Sequence, residues 1–311
     1  MKQMERPADR LLGPAPEMAR VRFAASGSEA NEAALRLARQ YHVDRGEADR
    51  WQVISPAQAY HGSTMATMAL TGRKHTIQDP YSAYLSPHLH SAASGWRFDP
   101  SGQAALDERD ERIAEAGAGS ISAFFCEPIS AAAMPAYSPS DRFWHGLAER
   151  REKHGFLICF DEVVTGLGRV GTWFAYQQMP IEPDIVTVGK GLGAGYAPIS
   201  AVQCKQHVYD AIAAGSRAFD LGHTWDGAPQ SCATGLAVVQ TLLSRRLVAL
   251  VWARRPRLRD ELESALQRTP LVHPRRRPAL LLGGVRVDPR RGTISLPLQP
   301  PVALSRHALA P

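Results

Sequence analysis

Two nearby stretches decide the fold: Phe156-Leu157-Ile158-Cys159-Phe160-Asp161-Glu162-Val163-Val164-Thr165-Gly166-Leu167-Gly168-Arg169, and Asp184-Ile185-Val186-Thr187-Val188-Gly189-Lys190-Gly191-Leu192-Gly193-Ala194-Gly195-Tyr196. The first opens with five apolar residues and the second, after Asp184, with Ile185-Val186-Thr187-Val188; both then turn abruptly polar or glycine-rich. Runs of that length suit strands covered on both faces. Moving outward, Trp51-Gln52-Val53-Ile54, Ala123-Phe124-Phe125-Cys126 and Ile199-Ser200-Ala201-Val202 read the same way. Between them lie helical patterns. Glu29 to Tyr41 places Ala30, Ala34, Leu37, Ala38 and Tyr41 on one face, and Asp141 to His154 forms another. The alternation predicts an α/β architecture with a sheet between helices.

The strand ends carry the chemistry. Glu127 follows the run ending at Cys126, Asp161 follows Phe160, and Gly189-Lys190 follows Val188. Open α/β sheets bind ligands beyond the carboxyl ends of their strands. One polar site built from Glu127, Asp161 and Lys190 is therefore expected, although an acid after a strand is also common in turns and caps. A carboxylate at the end of a buried strand needs a cationic partner. The chain has only five lysines, and Lys190 alone sits among glycines after a buried strand. A phosphate-binding GxxxxGK[ST] loop is excluded because Gly191 follows Lys190. A lysine amine can instead form a Schiff base with an aldehyde cofactor.

Two further segments admit a plain reading and a functional one. In Ser26-Gly27-Ser28-Glu29-Ala30-Asn31-Glu32, Ser26 and Glu29 fit a capping box. Gly27 would also let an anion approach the helix start. Tyr60-His61-Gly62-Ser63-Thr64 is either a solvent-facing turn or a turn that presents an aromatic ring to a planar ligand.

Composition narrows the classes. The 311 residues are 44% hydrophobic and 21% charged, ordinary for a globular chain. No apolar run of membrane-spanning length is present, and Met1 to Arg10 does not read as a secretory signal. Cys126, Cys159, Cys204 and Cys232 show neither CxxC nor zinc spacing, so buried reduced thiols, a cytoplasmic location and no metal are expected. The net charge of +6 comes from the tail. Arg245 to Pro311 carries fourteen arginines and four acids, whereas the remainder carries 22 basic residues against 26 acids. That tail has almost no aromatic residues, which argues against nucleic-acid binding.

With these segments in order, the chain resembles the class-III aminotransferases, a family dependent on pyridoxal phosphate. The SGSEANE, YHG, EP, DEVVTGLGR and GKGL segments carry the resemblance from about Arg20 to about Leu243. It implies the fold-type-I large domain with a mostly parallel seven-stranded sheet. It also implies pyridoxal 5'-phosphate as cofactor, and an amine or amino acid and a 2-oxo acid as substrates. By resemblance Lys190 is the Schiff-base lysine and proton shuttle, and Asp161 the acid paired to the ring nitrogen. Tyr60 is the stacking aromatic, with His61 beside it, and Val163 the apolar contact on the opposite ring face. Gly27 and Ser28 are the phosphate cradle, and Glu127 is a site acid near the ring. Thr224 resembles the threonine that reaches a neighbouring subunit's phosphate, which implies a homodimer.

Departures from the family shape the remaining expectations. About 20 residues precede SGSEANE where family members carry a sizeable segment, and the resemblance fades after about Leu243 and is lost by about Pro270. The expected organisation is a large domain over 1–243 and a remnant of a small C-terminal domain with a divergent basic tail over 244–311. Eight of the 23 prolines lie at Pro270 or later, with no lysine, which fits either a genuine basic tail or an out-of-frame reading of a GC-rich gene. Two other functional readings stand beside the transaminase: a non-catalytic fragment, and an aminomutase or decarboxylating enzyme using the same cofactor residues. Ser63 stands where some members carry a carboxylate-binding arginine, so the substrate is left open.

Overall fold

The computed structural model describes residues 2–71, 79–86, 89–92, 101–134, 136–267, 272–274 and 285–287. Much of the basic tail, 275–284 and 288–311, lies outside the described residues.

The apolar runs form the expected strands. They are β1 (Met18–Ala24), β2 (Gln52–Pro56), β3 (Leu89–Ala92), β4 (Ile121–Cys126), β5 (Leu157–Asp161), β6 (Ile185–Val188) and β7 (Ser200–Lys205). They join one seven-stranded sheet in the order β1-β7-β6-β5-β4-β2-β3. Pairings from β3 through β2, β4 and β5 to β6 are parallel, and β7 runs antiparallel to both β6 and β1. The sheet is thus mostly parallel, as the family resemblance implies.

Side chains alternate strictly across its central strands. Phe124, Cys126, Ile158, Phe160, Val186 and Val188 enter one buried cluster. Ala123, Phe125, Leu157, Cys159 and Ile185 enter the other. This period of two, with both faces covered, explains why the runs show no polar alternation. Helix α3 (Met65–Leu70) follows β2, and the first face is closed by α4 (Gln103–Ala116) and α5 (Asp141–His154). Trp144 of α5 sits edge-on to Phe160 at 5.4 Å between ring centroids. The second face is closed by α2 (Gly27–Asp44) and α6 (Gln206–Ala214). Ala30, Ala34, Leu37 and Ala38 of α2 are buried as the helical period requires, and Tyr41 is partly buried.

Several boundaries and elements depart from the sequence reading. Trp51 is exposed and the strand starts at Gln52, because the tryptophan precedes the sheet edge. The strand expected from Ile199 starts at Ser200, and α2 starts two residues before Glu29, at Gly27. Helix α1 (Lys2–Leu12) has no clear sequence signal. It contains Pro7, which ordinarily argues against a helix, yet it buries Leu11. Beyond the sheet, α7 (Pro229–Ser244) and α8 (Leu247–Gln267) meet at a 61° bend. All four cysteines are free and buried, as expected.

Candidate functional site

Helix α2 begins where β1 ends, and its capping is complete. Ser26 Oγ accepts from Glu29 N at 3.2 Å, and Glu29 Oε2 accepts from Ser26 N at 2.9 Å and from Ala25 N at 2.8 Å. The capping box read from the sequence is therefore present. It consumes the Glu29 N–H and leaves the first-turn N–H groups of Gly27 and Ser28 without an acceptor inside the helix. Both residues line a cleft of about 150 Å³ at the carboxyl ends of β4, β5 and β6.

That cleft gathers Gly27, Ser28, Tyr60, His61, Glu127, Asp161, Val163 and Lys190 from five separate segments of the chain. Of the residues singled out in the sequence, only Thr224 stands apart. It is exposed and does not line the cleft. Three lining residues were not singled out: Asn31, Gly62 and Val164. Asn31 did carry a signal, since it is a polar residue next to Ala30 on the buried face of α2.

Asp161, the last residue of β5, is 5% exposed and accepts three hydrogen bonds. Asn31 Nδ2 donates to its Oδ2 at 2.8 Å, His61 Nδ1 lies 2.9 Å from the same oxygen, and Val163 N donates to its Oδ1 at 3.0 Å. The contact fixes His61 with a proton on Nδ1, because a carboxylate only accepts. The imidazole is buried edge-on against Phe125, with ring centroids 4.8 Å apart. The turn therefore faces inward at His61 and Gly62, while Ser63 stays exposed.

Glu127 is also buried. It accepts from Tyr60 N at 3.2 Å, Ser130 Oγ at 3.0 Å and Ala131 N at 3.3 Å. Burial pushes its carboxyl above the usual carboxylate range. His61 opposes that shift and the Asp161 charge adds to it. Two acids with unlike surroundings thus face one cleft, which is the arrangement expected where charge and protons are handled. Glu162, the next residue after Asp161, has a structural task. It is fully buried and accepts from Thr165 Oγ1, Ala175 N and Tyr176 N, pinning the loop after β5 to the turn at Ala175–Gln178. Burial raises its carboxyl to about 8.

Lys190 opens a short turn after β6 and lies at the cleft with its side chain exposed. Among the described residues its amine has no hydrogen-bond or ion-pair partner. The exposed Lys190 amine and the buried Asp161 carboxylate thus line one cleft, with Asp161 at its inner end.

The floor between them is apolar and tight. A Cβ on Gly27 would lie 2.9 Å from Val163 Cγ1, and one on Gly189 would lie 3.1 Å from the same atom. Side chains at either position would fill the space over Val163. Gly62 has φ +139°, and a Cβ there would meet Ser28 Oγ at 2.5 Å and Thr67 Oγ1 at 2.7 Å. Only glycine lets the Tyr60–Ser63 turn close on the start of α2. The resulting Ser63 N–H bond to Ser28 Oγ, 3.1 Å, holds the two segments together.

Residues 1–289 match the family model described as Aminotransferase class-III. That match runs past Pro270 and corrects the expectation that resemblance is lost there. The chain is 33% identical over 267 residues to an uncharacterized aminotransferase, YodT, of Bacillus subtilis strain 168, covering 84% of this chain and 60% of the relative. It is 35% identical over 207 residues to the hypotaurine/taurine–pyruvate aminotransferase of Paracoccus denitrificans, covering 65% of this chain and 45% of the relative. The chain thus spans about half the length of these curated relatives. Among solved structures, an amine transaminase from an uncultivated Pseudomonas species, in the PLP-bound (internal aldimine) form, superposes with a TM-score of 0.81 at 31% identity. The superposition covers 89% of this chain and 65% of that one.

Proposed function

Since the chain belongs to the class-III aminotransferase family, we propose that its cleft holds pyridoxal 5'-phosphate and that the protein moves an amino group from an amine or amino acid to a 2-oxo acid. The observation that carries this reading is the presence, in one cleft, of the Lys190 amine, which has no partner among the described residues, and the buried, triply hydrogen-bonded Asp161. The cleft fits the group's chemistry at each end. Asp161 supplies the buried negative charge that a protonated ring nitrogen balances. The first-turn N–H groups of α2 at Gly27 and Ser28 suit a phosphate. Glycine at 27 and 189 lets both backbones pack directly on Val163, which holds that side chain at the cleft wall.

When bound, the cofactor supplies an aldehyde that condenses with amines and a ring that delocalises the electron pair left when a donor C–H bond breaks. The chain's own residues do the rest. The Lys190 amine would be the group that carries the aldehyde and that a donor amine displaces. Once displaced, the same amine would move a proton at its Nζ, as general base and then as general acid. Asp161 would keep a ring nitrogen protonated by charge pairing, and Tyr60 and Val163 would face the ring from either side. His61 and Asn31 hold Asp161. Glu127 lines the same cleft with its carboxyl raised and would suit contacts with the substrate.

The reading includes a homodimer in the cytoplasm. Thr224 is exposed and outside its own cleft, which suits a role toward a neighbouring subunit's phosphate. Four free, buried cysteines suit a reducing compartment.

The test is a pair of half-reactions on the full chain loaded with pyridoxal 5'-phosphate. An amine donor alone should bleach the visible absorbance, and a 2-oxo acid added afterwards should restore it. Turnover of one substrate with no need for a 2-oxo acid would replace the transaminase by an aminomutase or decarboxylase. No spectral response to any donor by a folded, loaded chain would favour a non-catalytic protein.

A further inference from the structure

Strands β5 and β6 pair in parallel with Asp161 directly opposite Thr187, so both side chains leave the same face of the sheet one strand apart. Asn31 of α2 sits over this pair and is 1% exposed. Thr187 Oγ1 donates to Asn31 Oδ1 at 2.6 Å. On the other side of the amide, Nδ2 donates to Asp161 Oδ2 at 2.8 Å and to the His61 carbonyl at 2.6 Å. Each group in this chain is matched: the hydroxyl meets the amide oxygen, and the amide N–H groups meet two pure acceptors.

Lone-pair accounting then distinguishes the two oxygens of Asp161. A carboxylate oxygen accepts about two hydrogen bonds. Oδ2 already takes Asn31 and His61, whereas Oδ1 takes only Val163 N. Oδ1 is the oxygen with capacity left for a further N–H.

We propose that Thr187 and Asn31 are positioning residues that lock the Asp161 carboxylate, saturating Oδ2 so that Oδ1 is the oxygen presented to a cationic N–H in the cleft. The consequence for catalysis rests on the cofactor reading above, in which that cation is the ring nitrogen. The geometry rests on the network alone. Removing the Thr187 hydroxyl leaves the Asn31 oxygen buried without a donor, so the amide is fixed only through its Nδ2 and its hold on Asp161 Oδ2 loosens. The charged groups around Asp161 are His61 from the turn after β2, Glu127 after β4, Glu162 on its own segment and Lys190 at the cleft. None of them replaces that N–H as a donor to Oδ2 except His61, which is already bonded there.

The experiment compares Thr187→Val, which keeps the shape, with Thr187→Ser, which restores the hydroxyl, both in the full chain. Thr187→Ala is a second removal should the valine variant fail to fold. In the loaded protein, the readouts are the pH midpoint of the cofactor's visible absorbance and the rate of the donor half-reaction. Loss of one buried hydrogen bond predicts a rate about 10-fold lower in Thr187→Val, with a displaced midpoint and Thr187→Ser close to wild type. In the cofactor-free protein, the readout is the ¹⁵N–¹H signal of the His61 Nδ1 proton, which shares Oδ2 with Asn31. It should shift in Thr187→Val and return in Thr187→Ser. A wild-type chain that takes no cofactor at Lys190 sinks the cofactor reading, and the His61 signal then decides the network separately. An unchanged His61 signal and unchanged midpoint in Thr187→Val overturn the proposal.

Discussion

Gly62→Ala should be the most damaging single-methyl change in the site, and its cost follows from two terms. First, φ is +139° at Gly62, a backbone region open essentially to glycine alone. Forcing alanine there costs about 2 kcal/mol. Second, the new Cβ would stand 2.5 Å from Ser28 Oγ and 2.7 Å from Thr67 Oγ1, closer than real Cβ contacts come. Neither hydroxyl is free to swing away. Ser28 Oγ holds Ser63 N, and Thr67 Oγ1 donates to Thr64 O. Overpacking of that kind adds about 2 kcal/mol, for a total of about 4 kcal/mol. The control is Gly46→Ala, at φ +78° with nothing within 4 Å of the added atom. There only the left-handed backbone term applies, about 1 kcal/mol. The assay is urea unfolding of the cofactor-free chain, comparing midpoints at equal m-values. Losses for the two variants within about 1 kcal/mol of each other would refute the claim that close packing of the turn on α2 sets the site.

Further outcomes follow from the same geometry. Ser26→Ala removes one side of the capping box and should cost about 1 kcal/mol, read by urea unfolding. Glu162→Gln leaves an amide nitrogen, which cannot accept, where an oxygen accepts from Ala175 N or Tyr176 N, and should cost about 2 kcal/mol, read by urea unfolding. The same variant should flatten a pH trend. Folded Glu162 keeps its proton to about 8 against an ordinary value of 4.5, so its contribution is full below 4.5 and is lost as pH rises through about 8. Unfolding midpoints across that range check the sign, and a trend unaltered by the substitution would contradict it. All four thiols should resist a thiol reagent until the chain unfolds. They are buried, and burial raises Cys126, Cys159, Cys204 and Cys232, with Cys204 near 12.

Much of the sheet was legible because its central strands are buried on both faces. Ile185–Val188 was read to the residue, and β4 and β5 to within two, since apolar runs flanked by polar ends leave little choice. The cleft was legible for a related reason. Glu127, Asp161 and Lys190 each sit where an apolar run stops, and parallel strands bring such stops to one edge. What stayed hidden depended on tertiary neighbours. Asn31 looks like an ordinary polar residue in a helix until Asp161 and Thr187 arrive from strands more than a hundred residues away. The same holds for Gly62, whose need for glycine comes from Ser28 and Thr67 as much as from its own backbone. Helix α1 escaped notice because Pro7 lies within it and its anchoring comes from packing, as at Leu11.

The central claim is that Lys190 is the amine that carries the cofactor. It is tested most directly by reducing the full chain with borohydride after addition of pyridoxal 5'-phosphate and mapping the labelled peptides. The account predicts one stable adduct, on the peptide containing Lys190, and none in Lys190→Ala. An adduct on another of the five lysines, or no adduct in a folded sample, would contradict it.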